Sequence, residues 1–254
     1  MSKSSRKSLS RQFRYLGVST LSFVSDVLRS TAELTDEASE KIAPIIDLSG
    51  DTLLRTRIHE AGHAILATVL PELEGVYSVR VDRLGKDRSW GKVVSASPST
   101  SFKNYQYFLQ DIALAYGGLV AEKEKFGDHQ AGVVGDIKNL SEIAHDMVVK
   151  YGMSGMPIMN YEINQPNWLL RVFKSHAQPV ELPEPIKIQI HDEKEKILSA
   201  ALALAEENIK KYWKAVEAVA KRLEDVDEID GNELNSIIRK LYPEANINEP
   251  LQEL

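Results

Sequence analysis

Residues 51–71 read DTLLRTRIHEAGHAILATVLP, and the placement of this stretch decides the fold. Asp51 is a residue type that starts helices as an N-cap. Pro71 has no N–H to donate and closes the helix. Ile58, Ala61, Ile65 and Leu66 make the stretch between them largely apolar, which predicts a helix set in the core. Working outward, residues 76–81 place Tyr77, Val79 and Val81 on one face and read as a strand. Residues 90–95 read as a second strand, with the polar, Gly-containing residues 82–89 as the hairpin loop between them. Residues 102–126 form a long helical stretch rich in Ala and aromatics. Residues 137–151 form another helix, with Gly152 at its C-cap position. Five prolines between residues 153 and 190 predict a loop region. Residues 192–223 predict one long charged helix, and residues 231–241 a final one. The expected architecture is mainly α (α+β): helices around a small β-hairpin or sheet, with long C-terminal helices.

Residues 1–50 differ from the rest and are set apart as a basic N-terminal segment, leaving residues 51–254 as one domain. Lys3, Arg6, Lys7, Arg11 and Arg14 precede any acidic residue, and Leu9, Phe13 and Leu16 recur at helical spacing. Three readings fit: a poorly ordered tail, an organelle transit peptide, or an amphipathic helix on an anionic membrane surface or a partner. A cytoplasmic location is expected, with organelle targeting or peripheral membrane association through residues 1–30 as the alternative. Residues 31–42 are a short helix candidate before Pro44.

Composition narrows the function classes. The chain has 254 residues, 31 Lys+Arg against 37 Asp+Glu, and a net charge of −6. That balance argues against a nucleic-acid partner, which calls for a basic face. With no Cys, there is no disulfide, Cys-ligated zinc, iron–sulfur centre or thiol nucleophile. The longest largely apolar stretch, residues 112–121, is about half of what a membrane span needs.

The chemistry lies in His59-Glu60-Ala61-Gly62-His63. Two His at i and i+4 stand one above the other on a helix face, so their ring nitrogens can meet one cation. Glu60, beside the first His, is placed to take a proton from water, which is the division of labour in H-E-x-x-H metallopeptidases. Gly62 costs about 1 kcal/mol against Ala inside a helix, which is explained if another backbone or a substrate comes close. A catalytic zinc needs a third protein ligand. The candidates are Glu122, His129, Asp136 and His145. If Asp136 starts its helix, Leu140, Ile143 and Met147 fall within about 40° of it at 100° per residue, so it lies on the apolar stripe. Glu122 shares a face with Ala115, Gly118 and Leu119 and also points inward. His145 faces solvent, and His129 sits in a Gly-flanked loop at the surface.

These residues resemble the peptidase domain of FtsH-type AAA proteases. His59 to Ala64 match the family's HEAGHA. Gly117-Gly118-Leu119-Val120-Ala121-Glu122-Lys123, then Phe126-Gly127, match its Gly-Gly-Arg-x-Ala-Glu-Glu and Phe-Gly. The stretch from Ala131 to Asp136 stands where a Thr-Gly-Ala-Ser-Asn-Asp segment supplies the third ligand, and Tyr151 to Ser154 match Tyr-Gly-Met-Ser. Asn208 within Ala-Glu-Glu-Asn and the Leu223 to Leu234 region match in style, so the likeness covers residues 52–242. It implies a Zn2+ ion on His59, His63 and Asp136, Glu60 as general base, and Glu122 as a carboxylate supporting the ligands. By the same analogy, Gly91, Lys92, Val93 and Val94 form a strand beside the cleft that pairs with substrate. Val93, Val133 and Val134 would favour apolar side chains. The implied function is a metalloendopeptidase acting on unfolded or loosely folded proteins; the alternative is an inactive relative that binds peptides or an FtsH-type partner. Leu119 and Lys123 replace the family's Arg and second Glu. No G-x-x-x-x-G-K-[ST] occurs in these residues. The expectation is a stand-alone peptidase half, served by a separate AAA ATPase if it is to cut folded proteins, with homo-oligomers in keeping with the family's rings.

Overall fold

The computed structural model describes residues 50–81, 91–95, 103–159, 161 and 182–248. The readings of residues 1–49, the 31–42 helix, the 82–89 hairpin loop and most of the proline-rich stretch lie outside the described residues.

Helix α1, Gly50–Val69, is the centre of the core. Ile58, Ala61, Ala64, Ile65, Leu66 and Ala67 are all at most 2% exposed. Asp51 lies in its first turn, one residue inside the start. Its C-terminal end is tied down from far along the chain. The backbone N–H of Asn248 donates to the carbonyl of Thr68 at 2.8 Å, and its side-chain amide donates to that of Leu70 at 2.5 Å. These bonds satisfy carbonyls that a helix end leaves without partners.

Strands β1, Val76–Val81, and β2, Gly91–Ser95, pair antiparallel, with Val79 opposite Val93 and Val81 opposite Gly91. A register shift between Val76 and Ser78 breaks the simple alternation. Val76, Val79 and Val81 are buried, and Tyr77, expected with them, is only half-buried. The extra residue of a bulge rotates the strand by one position there. Strand β3, Glu228–Asp230, which the sequence reading lacks, pairs with the other edge of β1, in the order β2-β1-β3.

Helix α2, Tyr105–Phe126, packs along α1. Asn104 caps its start by accepting from the N–H of Tyr107 at 2.8 Å. Gly127 ends it at φ 80°, a left-handed conformation suited to Gly. A 3-10 turn, Ala131–Val133, leads into helix α3, Val134–Val149, which begins three residues earlier than expected. Leu140 and Met147 bury the predicted stripe, and Ile143 packs against the same core.

The C-terminal region departs most from expectation. Helix α4, Glu184–Lys211, starts within the proline-rich stretch. Pro185 sits in its first turn, where a missing N–H costs nothing. The long helix then breaks at Tyr212, φ −103° and ψ 21°, and continues as α5, Trp213–Asp225. The break lets α4 lie against α2 while α5 packs on α1. Helix α6, Gly231–Leu241, has the expected bounds, with Asp230 accepting from the N–H of Glu233 as its cap. Among the described residues no helix is long and apolar enough to cross a membrane.

The crossing of α1 and α2 depends on Gly62 and Gly117. A Cβ on Gly62 would stand 2.7 Å from that of Ala121 and closer still to the carbonyl oxygen of Gly117. In an open helix, Gly62→Ala would stabilise by about 1 kcal/mol. Here the overlap is with backbone, which cannot swing aside, so the sign reverses. Gly62→Ala is expected to destabilise the metal-free protein by about 1–3 kcal/mol, read as a lower urea midpoint at unchanged slope. A higher midpoint would show that the two helices separate easily.

Candidate metal centre

Helix α1 sets two donors one turn apart. The rings of His59 and His63 have centroids 4.6 Å apart at 77°, and their Nε2 atoms are 3.0 Å apart. Asp136, the third residue of α3, brings Oδ2 to 3.2 Å from Nε2 of His59 and 3.6 Å from Nε2 of His63. These side chains are the one group among the described residues whose donor atoms converge closely enough to hold a metal ion.

The outer ring nitrogens show which way each imidazole faces. Nδ1 of His63 donates to the carbonyl of Leu114 at 2.8 Å, and Nδ1 of His59 donates to Oε1 of Glu122 at 2.8 Å. Carbonyls and ionised carboxylates only accept, so each Nδ1 carries a proton. Both Nε2 atoms therefore turn lone pairs inward, toward each other and toward a carboxylate. Three acceptors at this range repel unless positive charge lies between them.

A divalent cation meets that demand. Tetrahedral bonds of about 2.0–2.1 Å put neighbouring donors about 3.3 Å apart, and the observed separations of 3.0, 3.2 and 3.6 Å straddle that value. Two imidazoles and one carboxylate suit a borderline ion such as zinc. Three protein donors leave a fourth position free for water or substrate.

Without metal, a proton takes the same place. Burial alone would lower the pKa of His59, but hydrogen bonds to Asp136 and Glu122 and the charge of Glu60 outweigh it and raise the value to about 10. Burial pushes Asp136 up, yet His59 and His63 overcome it and hold the carboxyl well below the usual carboxylate range.

Glu60 lies between the two histidines in sequence but outside the converging group. It is 8% exposed. Burial raises its pKa against the opposing charges of His63 and His59. Its carboxyl rests on Gly91, the first residue of β2, where a Cβ would stand 2.5 Å from Cδ of Glu60. Gly118 leaves similar room for His59: a Cβ there would stand 2.6 Å from Cγ of the ring and closer to Nδ1.

The remaining candidates separate clearly. Glu122 is buried, only 4% exposed, and reaches His59 from behind without joining the group. His129 and His145 are exposed and lie apart from it. Lys92 and Val94 are exposed on β2, and Val93 is half-buried against the core. Val133 is buried, and Val134 is 72% exposed. Two partners of the site are absent from the sequence reading. One is the carbonyl of Leu114, which no side-chain pattern announces. The other is Arg55, whose spacing of four from His59 puts it on the same helix face.

Comparison with known proteins gives the family. The family model described as Peptidase family M41 matches residues 48–237. The chain is similar to the ATP-dependent zinc metalloprotease FtsH of Chloroflexus aggregans, 28% identical over 189 residues, covering 73% of this chain and 28% of that protein. A protein of the same name from Caldicellulosiruptor bescii is 30% identical over 185 residues, 72% of this chain and 29% of that one. One from Thermotoga maritima is 29% identical over 189 residues, 72% and 30%. The chain thus spans less than a third of the length of these curated relatives.

The pKa of His59 makes cation uptake pH-dependent, with a definite sign. Because the folded value lies above the ordinary 6.5, the protonated site stabilises the metal-free fold fully below about 6.5, and this is lost as pH rises through about 10. A cation must expel that proton, so apparent zinc affinity should weaken as pH falls from 9 to 7, by about tenfold per pH unit for one proton. Calorimetric titration at pH 8 in buffers of different ionisation enthalpy should count about two protons released per zinc, one from His59 and one from a water whose pKa the ion brings toward about 7. A count of one or fewer would mean that His59 is already neutral.

Proposed function

The chain belongs to peptidase family M41, and from that membership we propose that it is a zinc-dependent endopeptidase cutting unfolded or loosely folded polypeptides. The observation that carries this reading is the convergence of His59, His63 and Asp136 on one point with the buried Glu60 beside them. These three side chains would hold the ion. Zinc bound there supplies Lewis acidity, lowering the pKa of water toward about 7 and polarising a carbonyl.

Glu60 does the proton work. It accepts a proton from the attacking water and passes it to the amine nitrogen that departs as the peptide C–N bond breaks. Burial, which raises its pKa, brings it nearer to neutral pH, where a general base is most effective. Among the described residues, strand β2 ends the sheet order on the side away from β3, so its outer edge can accept an extended substrate backbone from Gly91 to Val94. That edge begins at the residue against which Glu60 rests, so a strand added there passes the proton-transfer group. Exposed Val134, two residues from Asp136, offers apolar surface to a substrate side chain.

The relatives carry "ATP-dependent" in their names. The 254 residues hold no P-loop, so ATP-driven unfolding of a substrate would come from outside them. On their own they would act on chains already open. A feeding AAA ATPase and association into a ring are further parts of the proposal.

Two variants test the reading. Glu60→Gln should bind zinc as the parent does and lose about 10²–10⁴-fold in hydrolysis of unfolded casein. Unchanged cleavage by the purified variant would remove Glu60 from the mechanism. Asp136→Ala should lose its zinc by elemental analysis after dialysis. Full retention would shift the third-ligand role to another carboxylate. A parent that binds zinc yet cuts no casein or peptide, with or without chelator, would favour a peptide-binding role.

A further inference from the structure

Arg55 stands one helical turn before His59 on α1, and its guanidinium reaches Phe126 and Asp128 at the start of the segment that leads to Asp136. It lies 4.2 Å from the ring centroid of Phe126, the last residue of α2. Nη1 donates to Oδ1 of Asp128 at 2.8 Å, just past the end of that helix. The same nitrogen is 3.9 Å from Oε2 of Glu122.

Glu122 is the hub of this arrangement. Oε1 accepts from Nδ1 of His59 at 2.8 Å, and Oε2 accepts from the backbone N–H of Gln130 at 2.9 Å. One buried carboxylate thus joins a ring of the candidate centre to the loop leading to α3. A carboxylate buried to this degree needs compensating charge as well as hydrogen bonds, and the nearby cation of Arg55 supplies it. An Arg in this place is suited to do two things at once: its planar fork can stack on Phe126 while donating to a carboxylate.

We propose that Arg55 is a positioning residue of the metal centre, acting through Glu122. By holding Glu122 and the 126–130 turn in place, it keeps Nε2 of His59 facing inward and sets how far Asp136 reaches. Nothing in the H-E-x-x-H pattern requires this residue, and it lies outside the converging donor group. The inference rests on the zinc reading above, in that it concerns the affinity of the same site.

The test measures binding apart from catalysis. Zinc affinity of the whole chain is determined by competition with a chromogenic chelator, and cobalt substitution reports donor geometry through its visible absorption. Removing a group that orients a metal ligand typically costs about 10–100-fold in affinity. Arg55→Ala and Arg55→Gln should each weaken zinc binding in that range and alter the cobalt spectrum, with far-ultraviolet circular dichroism unchanged. Arg55→Lys, which keeps the charge but not the fork, should recover part of the loss. Glu122→Gln should weaken binding to a similar degree. The double variant Arg55→Ala/Glu122→Gln should be little worse than Glu122→Gln alone, because residues acting through one another are not additive. Parent-like affinity in either folded neutral variant, a Lys variant no better than Ala, or additive losses in the double variant would each overturn the assignment. If Arg55→Ala does not fold, the Lys and Gln variants decide. A parent that takes up neither zinc nor cobalt would overturn the zinc reading and this inference with it. A parent that binds both while the Arg55 variants bind equally well would overturn the inference alone.

Discussion

Three acceptor atoms facing one another at 3.0 to 3.6 Å are the constraint around which this molecule is built. Each Nε2 faces inward because the opposite nitrogen donates a hydrogen bond to a fixed acceptor. Those acceptors belong to α2: the carbonyl of Leu114 and the carboxylate of Glu122. The donors converge only if α1 and α2 hold a close, fixed separation. Gly62 and Gly117 allow that approach, and Gly118 leaves the space that the ring of His59 fills. Backbone packing and proton placement are therefore one problem in this fold, since a wider crossing would lengthen both hydrogen bonds and let the imidazoles turn.

The same constraint explains the charged groups near the centre. Around the buried Glu122 lie Arg55, the ring of His59 and the N–H of Gln130. Asp136 is half-buried and is held as a carboxylate by the two imidazoles. Glu60 has no such direct anchor in the group and is pushed the other way, toward its protonated form, by burial. Carboxylates within one small region are thus driven apart in proton affinity by their surroundings. That separation assigns different chemistry to the same functional group.

Periodicity and end signals made most elements legible. The bounds of α6 match the reading, and α1 could be read because Pro71 ends it and apolar residues fill it. Errors arose where a long-range partner overrode a local signal. Pro183 and Pro185 suggested a loop, but a helix start tolerates them. Nothing local marks the break at Tyr212; it exists because the two halves of that helix pack against different neighbours. Strand β3 is three residues long and pairs only because β1 has a free edge to offer.

What the chain's order of residues determined by itself is the pair of stacked histidines with a glutamate beside the first, because helical spacing is a local property that needs no tertiary information. The inward leaning of Asp136 was also readable, from the apolar stripe it shares with Leu140 and Met147. Only the folded structure decided that Asp136 meets both rings while Glu122 stands behind one, and that Arg55 braces the segment between them. Those outcomes depend on distances between elements far apart in the chain. Such distances are set by how side-chain volumes fill the space between helices, and no short window of sequence contains that information.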